Sequence, residues 1–94
     1  MPKRWNIKLT TYLYDIGFTQ SKHDYNMFIM TKDDIFMVVL VCVVDLLVTG
    51  NIEKDIKNIK DTLHTKFHIN DLGETTYFPR YRGIRNRNYL FSYV

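Results

Sequence analysis

The sequence predicts an α+β fold, an antiparallel sheet with two helices on one face, and three observations carry that prediction. Two segments, Trp5 to Ile16 and Ile52 to Phe67, place apolar residues at helical spacing. Between them lies the longest apolar run of the chain, Ile35 to Val48, rich in the β-branched and aromatic residues that fit a pleated surface. Strands framed by amphipathic helices bury their apolar faces as two packed layers. The predicted order is helix-strand-strand-helix-strand-strand.

Composition sets the limits of this reading. The 94 residues make a single domain, 1–94, with a modest core. A hydrophobic content of 46% excludes a disordered chain. One cysteine, Cys42, excludes an internal disulfide framework, and no signal peptide opens the sequence, so an intracellular location, cytoplasmic or nuclear, is expected. The net charge of +3, from 13 basic and 10 acidic residues, permits an anionic partner without requiring one. No membrane association is expected: the apolar run spans fourteen residues, against the roughly 20 of a transmembrane helix.

Each element follows from its own residues. Trp5, Leu9, Tyr12, Leu13 and Ile16 recur every three or four positions, giving a helix from Arg4 to Ile16 with Gly17 as its left-handed C′ residue. Met27 to Met30 reads as a strand, and Thr31 to Asp34 as a solvated turn, where the adjacent Asp33 and Asp34 are turn residues and not a metal site. The run that follows is one long strand or two short strands meeting near Val44 and Asp45, although Val-Asp is a poor hairpin tip. Asp45 is the single carboxylate inside it. Buried unpaired, a carboxylate costs several kcal/mol, so Asp45 must lie at a turn, meet a cation or bind metal.

Asn51 then suits an N-cap, with Glu53 and Asp55 in the first turn, where the helix dipole favours negative charge. Ile52, Ile56, Ile59, Leu63 and Phe67 form one face of a helix ending near Lys66, and Lys54, Lys57, Asn58, Lys60 and Asp61 form its solvated face. His64 and His68 are four apart, but the helix ends between them, which favours helix-terminus histidines over a metal pair. Downstream, Pro79 removes a ladder donor and marks a broken or edge strand; Asn86 to Asn88 suits a turn, and Tyr89 to Ser92 a final strand. Arg80, Arg82, Arg85 and Arg87 interleave with Tyr77, Phe78, Tyr81 and Tyr89, a mixture that can grip a phosphate backbone and stack on bases. The simpler alternative is a solvated edge hairpin whose arginine stems lie along apolar surface.

The string Val41-Cys42-Val43-Val44-Asp45-Leu46-Leu47-Val48-Thr49-Gly50-Asn51 resembles the Tyr-Val-Asp-Asp hairpin of copia-type retrotransposon reverse transcriptases, usually close to VYVDDIIITGN. Cys42 takes the place of the Tyr and Val44 that of the first Asp. A second segment resembles the family's FKIKDLGELKYFLGIEV: Phe67, Ile69, Asp71, Leu72, Gly73, Glu74, Tyr77 and Phe78 keep the pattern, and Pro79 to Arg82 depart from it. Upstream, Asp24, Met27 and Phe28 fall where the family has an Asp followed by two apolar residues.

The resemblance implies a partial polymerase palm, its C-terminal part, with a tight hairpin at Val44-Asp45. It makes Asp45 a catalytic and metal-binding carboxylate, since these RNA-directed DNA polymerases use two Mg²⁺ or Mn²⁺ ions held by oxygen ligands. It further implies an RNA template, a DNA primer and the remainder of a retrotransposon polyprotein as partners. Val44 cannot bind a metal, and the upstream strand bearing the family's other metal-binding Asp is absent from these residues. The fragment by itself is therefore expected to hold no metal and to be inactive. The alternative is a non-catalytic nucleic-acid-binding module that uses Arg80, Arg82, Arg85 and Arg87.

Overall fold

The computed structural model describes residues 3–42, 44–75 and 87–92, with side chains from Ile7 onward. Helix α1 (Lys3–Asp15) is followed by strands β1 (Thr19–Gln20), β2 (Met27–Lys32), β3 (Ile35–Val41) and β4 (Asp45–Gly50), helix α2 (Glu53–Phe67), and strands β5 (Asn70–Glu74) and β6 (Arg87–Ser92). The strands form one antiparallel sheet ordered β1-β2-β3-β4-β6-β5, so the last strand inserts between β4 and β5.

Helix α1 stops at Asp15, one residue short of the expected end. Gly17 takes φ 110, its N–H donates to the Tyr14 carbonyl at 3.1 Å, and Phe18 N–H reaches back to Leu13 at 2.9 Å. This pair of bonds closes the helix in a Schellman motif and turns the buried Phe18 under it. Ile16 consequently leaves the buried face and is exposed. The side chain of Trp5 lies outside the described residues.

The long apolar run is two strands. Val41 pairs with Leu46, and Cys42 N–H donates to the Asp45 carbonyl at 2.9 Å. The turn therefore falls between Cys42 and Asp45, and Asp45 opens β4 instead of sitting at the tip as expected. Val39 against Val48 and Val41 against Leu46 place four apolar residues on the core face, and burying them favours two paired strands even where turn chemistry is poor.

A single core holds the two layers together. Leu9 and Leu13 of α1 and Ile56, Ile59 and Leu63 of α2 share one buried cluster with Phe28, Met37, Val39, Val41, Leu46, Val48, Tyr89 and Phe91. Those strand residues all project to the same side, so both helices cover one face of the sheet. Val38, Leu47, Thr49 and Asn88, on the opposite face, are also buried. Burial on both faces explains why β3 and β4 read as continuous apolar sequence with no alternation.

Other elements also differ from expectation. Four strands, not two, precede α2, because the short β1 forms and the long apolar run divides. Strand β2 continues through Thr31 and Lys32, which pair with Phe36 and Ile35 instead of lying in the turn. Asn51 is not the N-cap: that position is Ile52, which makes no side-chain capping bond. Helix α2 extends to Phe67, one residue past Lys66, and His68 just beyond it adopts the left-handed conformation at φ 55. Arg87 and Asn88 belong to β6 and not to a turn, because Asn88 is drawn into the sheet where the Thr49 hydroxyl donates to its Oδ1. The segment around Pro79 lies outside the described residues. At the borders of the sheet, β1 is two residues long, and β5 shifts register between Asp71 and Gly73, leaving Leu72 exposed. No described helix is long and apolar enough to cross a membrane.

Candidate functional site

The β3–β4 connection projects Val44 and presents Asp45 at the start of β4. Asp45 pairs with Ser92 of β6 and has the same strand parity as Leu47 and Thr49, so it faces away from the helices. Its side chain is half-buried. Val44 is 53% exposed, an apolar side chain where the family pattern has a carboxylate.

The turn that enters β2 builds the other wall of this end of the sheet. Asp24 Oδ1 accepts the Asn26 N–H at 2.9 Å, its carbonyl accepts Met27 N–H at 3.1 Å, and the Asn26 carbonyl accepts Val41 N–H at 2.8 Å. These bonds hold Asp24 beside the last residue of β3. Its charge reaches the Cys42 thiol, whose pKa is raised above its ordinary value of 9.0 by partial burial first, then by hydrogen bonding to Asp45, then by the Asp45 and Asp24 charges. The protonated thiol donates toward the Asp45 carboxylate, and two nearby anions disfavour its ionisation. In the sequence, Asp24 stands out only as a position matching the family pattern. The Asp-x-Asn spacing of a local Asx turn is the signal that ties it to this end.

A two-ion site needs several oxygen donors converging on the metals. Here the donors do not fit: Asp45 contributes one carboxylate, Cys42 a protonated thiol and Val44 nothing, and no group of three His, Cys, Asp or Glu among the described residues is arranged to hold a metal ion. Asp33 and Asp34 form an exposed turn at the far end of β3, and His64 and His68 are separated by the end of α2.

Of the four candidate nucleic-acid-binding arginines, Arg87 is described, while Arg80, Arg82 and Arg85 lie outside the described residues. The exposed guanidinium of Arg87 contacts Glu53 Oε1 at 2.6 Å and joins β6 to the first turn of α2. Beside it, Lys60 Nζ lies 3.1 Å from Asp71 Oδ2 and 4.3 Å above the Tyr89 ring, joining α2 to β5 and β6. Arg87 pairs with Gly50 at the opposite end of β4 from Asp45, roughly 17 Å away at the usual rise of a strand. It also faces the helices. The fold therefore does not bring Asp45 and Arg87 together.

Comparison with known proteins points to one family. A family model for reverse transcriptase (RNA-dependent DNA polymerase) matches residues 1–87. The chain is 35% identical over 77 residues to the retrovirus-related Pol polyprotein from transposon RE1 of Arabidopsis thaliana, and 32% identical over 77 residues to that from transposon RE2 of the same plant. Each match covers 82% of this chain and 5% of the polyprotein, so the chain spans a small fraction of those relatives. No solved structure matches.

Proposed function

The chain belongs to the reverse transcriptase (RNA-dependent DNA polymerase) family, as a homologue of copia-type transposon Pol polyproteins, and from that premise we propose that it is the C-terminal part of a polymerase palm that is catalytically silent by itself. Its single domain, 1–94, would carry one carboxylate of the catalytic centre, Asp45, in a Pol polyprotein that copies an RNA template from a DNA primer. There Asp45 would be one of several carboxylates holding metal ions, whose chemistry when bound would be activation of the primer hydroxyl and neutralisation of phosphoryl charge.

The observation that carries the proposal is Val44, exposed at the hairpin where the family pattern has an Asp. A methyl-bearing side chain offers no lone pair to a hard cation, and loss of one ligand from a two-ion centre removes most of the charge stabilisation it provides. What remains for these residues is positional: the β3–β4 ladder holds Asp45 on the face away from the helices, and the Cys42 thiol donates toward it.

Primer extension by the purified chain with Mg²⁺ or Mn²⁺ tests the proposal. No template-dependent incorporation is expected. Incorporation that disappears in Asp45→Ala would overturn catalytic silence.

A further inference from the structure

Asn51 sits where β4 ends and the chain turns toward α2, and its side chain points back into the sheet. Paired residues of β3 and β4 alternate between exchanging two hydrogen bonds and exchanging none. Cys42 and Asp45 are a bonded pair, and six residues along β3 from Cys42 the alternation makes Phe36 and Asn51 a bonded pair again. The Asn51 N–H duly donates to the Phe36 carbonyl at 3.2 Å. The return bond, from Phe36 N–H to the Asn51 main-chain carbonyl, is replaced: Phe36 N–H donates to Asn51 Oδ1 at 2.8 Å. The amide Nδ2 then donates to the Asp34 carbonyl at 2.6 Å, at the turn between β2 and β3.

The carboxamide thus acts as one additional peptide group. Its carbonyl and amine continue the ladder beyond the point where the main chain has left for the helix. Asparagine is suited to this because its short side chain carries an acceptor and a donor in the plane of a peptide.

We propose that Asn51 is a positioning residue that fixes the register of the β3–β4 hairpin, and so the face on which Asp45 is presented. The need for such a device lies in the strands themselves. Both faces of β3 and β4 are buried and largely apolar, from Phe36, Met37, Val38 and Val39 to Leu46, Leu47 and Val48. A strand that is apolar on both faces distinguishes poorly between registers, and a slip of one residue sends every side chain to the opposite face. The connection at the other end of the hairpin lacks the Asn-Gly or Asp-Gly chemistry that fixes register in tight turns. Asn51 supplies at the open end the specification that the closed end lacks.

The test reads backbone pairing and not polymerisation, so its failure would leave the family reading intact. Isotope-labelled chain would be compared as wild type, Asn51→Ala and Asn51→Asp by cross-strand nuclear Overhauser contacts and amide exchange. Asn51→Ala is expected to show a second set of contacts in which Val39 meets a neighbour of Val48, with Phe36 amide exchange faster by roughly tenfold or more. Asn51→Asp keeps the acceptor for Phe36 and is expected to restore the single register. In that variant the bond to the Asp34 carbonyl is lost and a carboxylate oxygen faces that carbonyl. At neutral pH Asn51→Asp is therefore expected to be less stable than wild type, and the comparison is made at a pH low enough to protonate the introduced carboxyl, whose O–H can then donate to the Asp34 carbonyl. A general loss of stability alone would not produce a shifted contact set that the conservative variant removes. One set of contacts in Asn51→Ala, with Phe36 protected as in wild type, would overturn the proposal. If Asn51→Ala does not fold, Asn51→Asp decides: one register with Phe36 protected supports the proposal, and a mixed register or an unprotected Phe36 overturns it.

Discussion

Replacing Gly50 with alanine tests how tightly α2 is seated on the sheet. Gly50 is the last residue of β4, and its backbone lies outside the left-handed region, so any cost must come from space. A Cβ there would lie 3.1 Å from Ile56 Cγ1, 3.2 Å from Met37 Cγ and 3.2 Å from the Phe36 carbonyl oxygen. Ile56 and Met37 are both buried in the core, so neither side chain can yield into solvent, and the carbonyl belongs to the pairing with Asn51. Adding a carbon to such a site costs about 1–3 kcal/mol. Alanine returns about 0.5–1 kcal/mol by restricting the unfolded chain. The expected net effect is a loss of up to about 2.5 kcal/mol, or at most roughly 10–20 °C in Tm for a domain of this size. Thermal melting followed by circular dichroism measures it. Gly73→Ala is the control: nothing lies within 4 Å of its Cβ, but φ is +93, so its cost of about 1–2 kcal/mol would be backbone strain alone. A Gly50→Ala melt above the wild-type temperature would refute the close approach of α2 to β4.

Other expectations follow from single contacts. Asn88→Ala removes the acceptor of the buried Thr49 hydroxyl and should cost about 1–3 kcal/mol, read as a lower urea midpoint at unchanged slope. His68→Gly relieves the left-handed position after α2, where φ is 55, and should stabilise the chain by about 0.5–1 kcal/mol in a thermal melt. The Cys42 thiol has a folded pKa above the ordinary 9.0. The stability this contributes is therefore complete below the ordinary value and lost as pH rises through the folded one. Iodoacetamide alkylation should show a pH profile displaced upward from that of the unfolded chain and moved down by Asp45→Asn. Coincident folded and unfolded profiles would exclude the Asp45 contact.

The helices and the central strands were legible because their burial is written in local periodicity. Leu9, Leu13, Ile56, Ile59 and Leu63 all occupy the face that their spacing assigns. Strand β5 was not legible: Asn70 to Glu74 is polar, contains Gly73 and has no alternation, and it is held by pairing with a strand that follows later in the chain. Asn51 and Asn88 were misread for a common reason. Asparagine favours caps and turns when only local partners are considered, and in this fold each finds a partner across the sheet. At the candidate site, Asp45 was recognisable as a carboxylate out of place in an apolar run. Its neighbours were not, since Asp24 reaches Cys42 only through the pairing of β2 with β3.

The two borders of the sheet bear on how copies of this chain meet one another. An exposed strand edge is a template on which another molecule can add its own backbone, and an apolar chain is at particular risk of growing in that way. On one side β1 presents only Thr19 and Gln20. On the other, the irregularity at Leu72 and Gly73 breaks the row of donors and acceptors that an incoming strand would need. Among the described residues, β3 and β4, the most apolar strands, lie inside the sheet and away from both borders. A two-residue strand at one border and a kink at the other are what an incoming backbone would meet first.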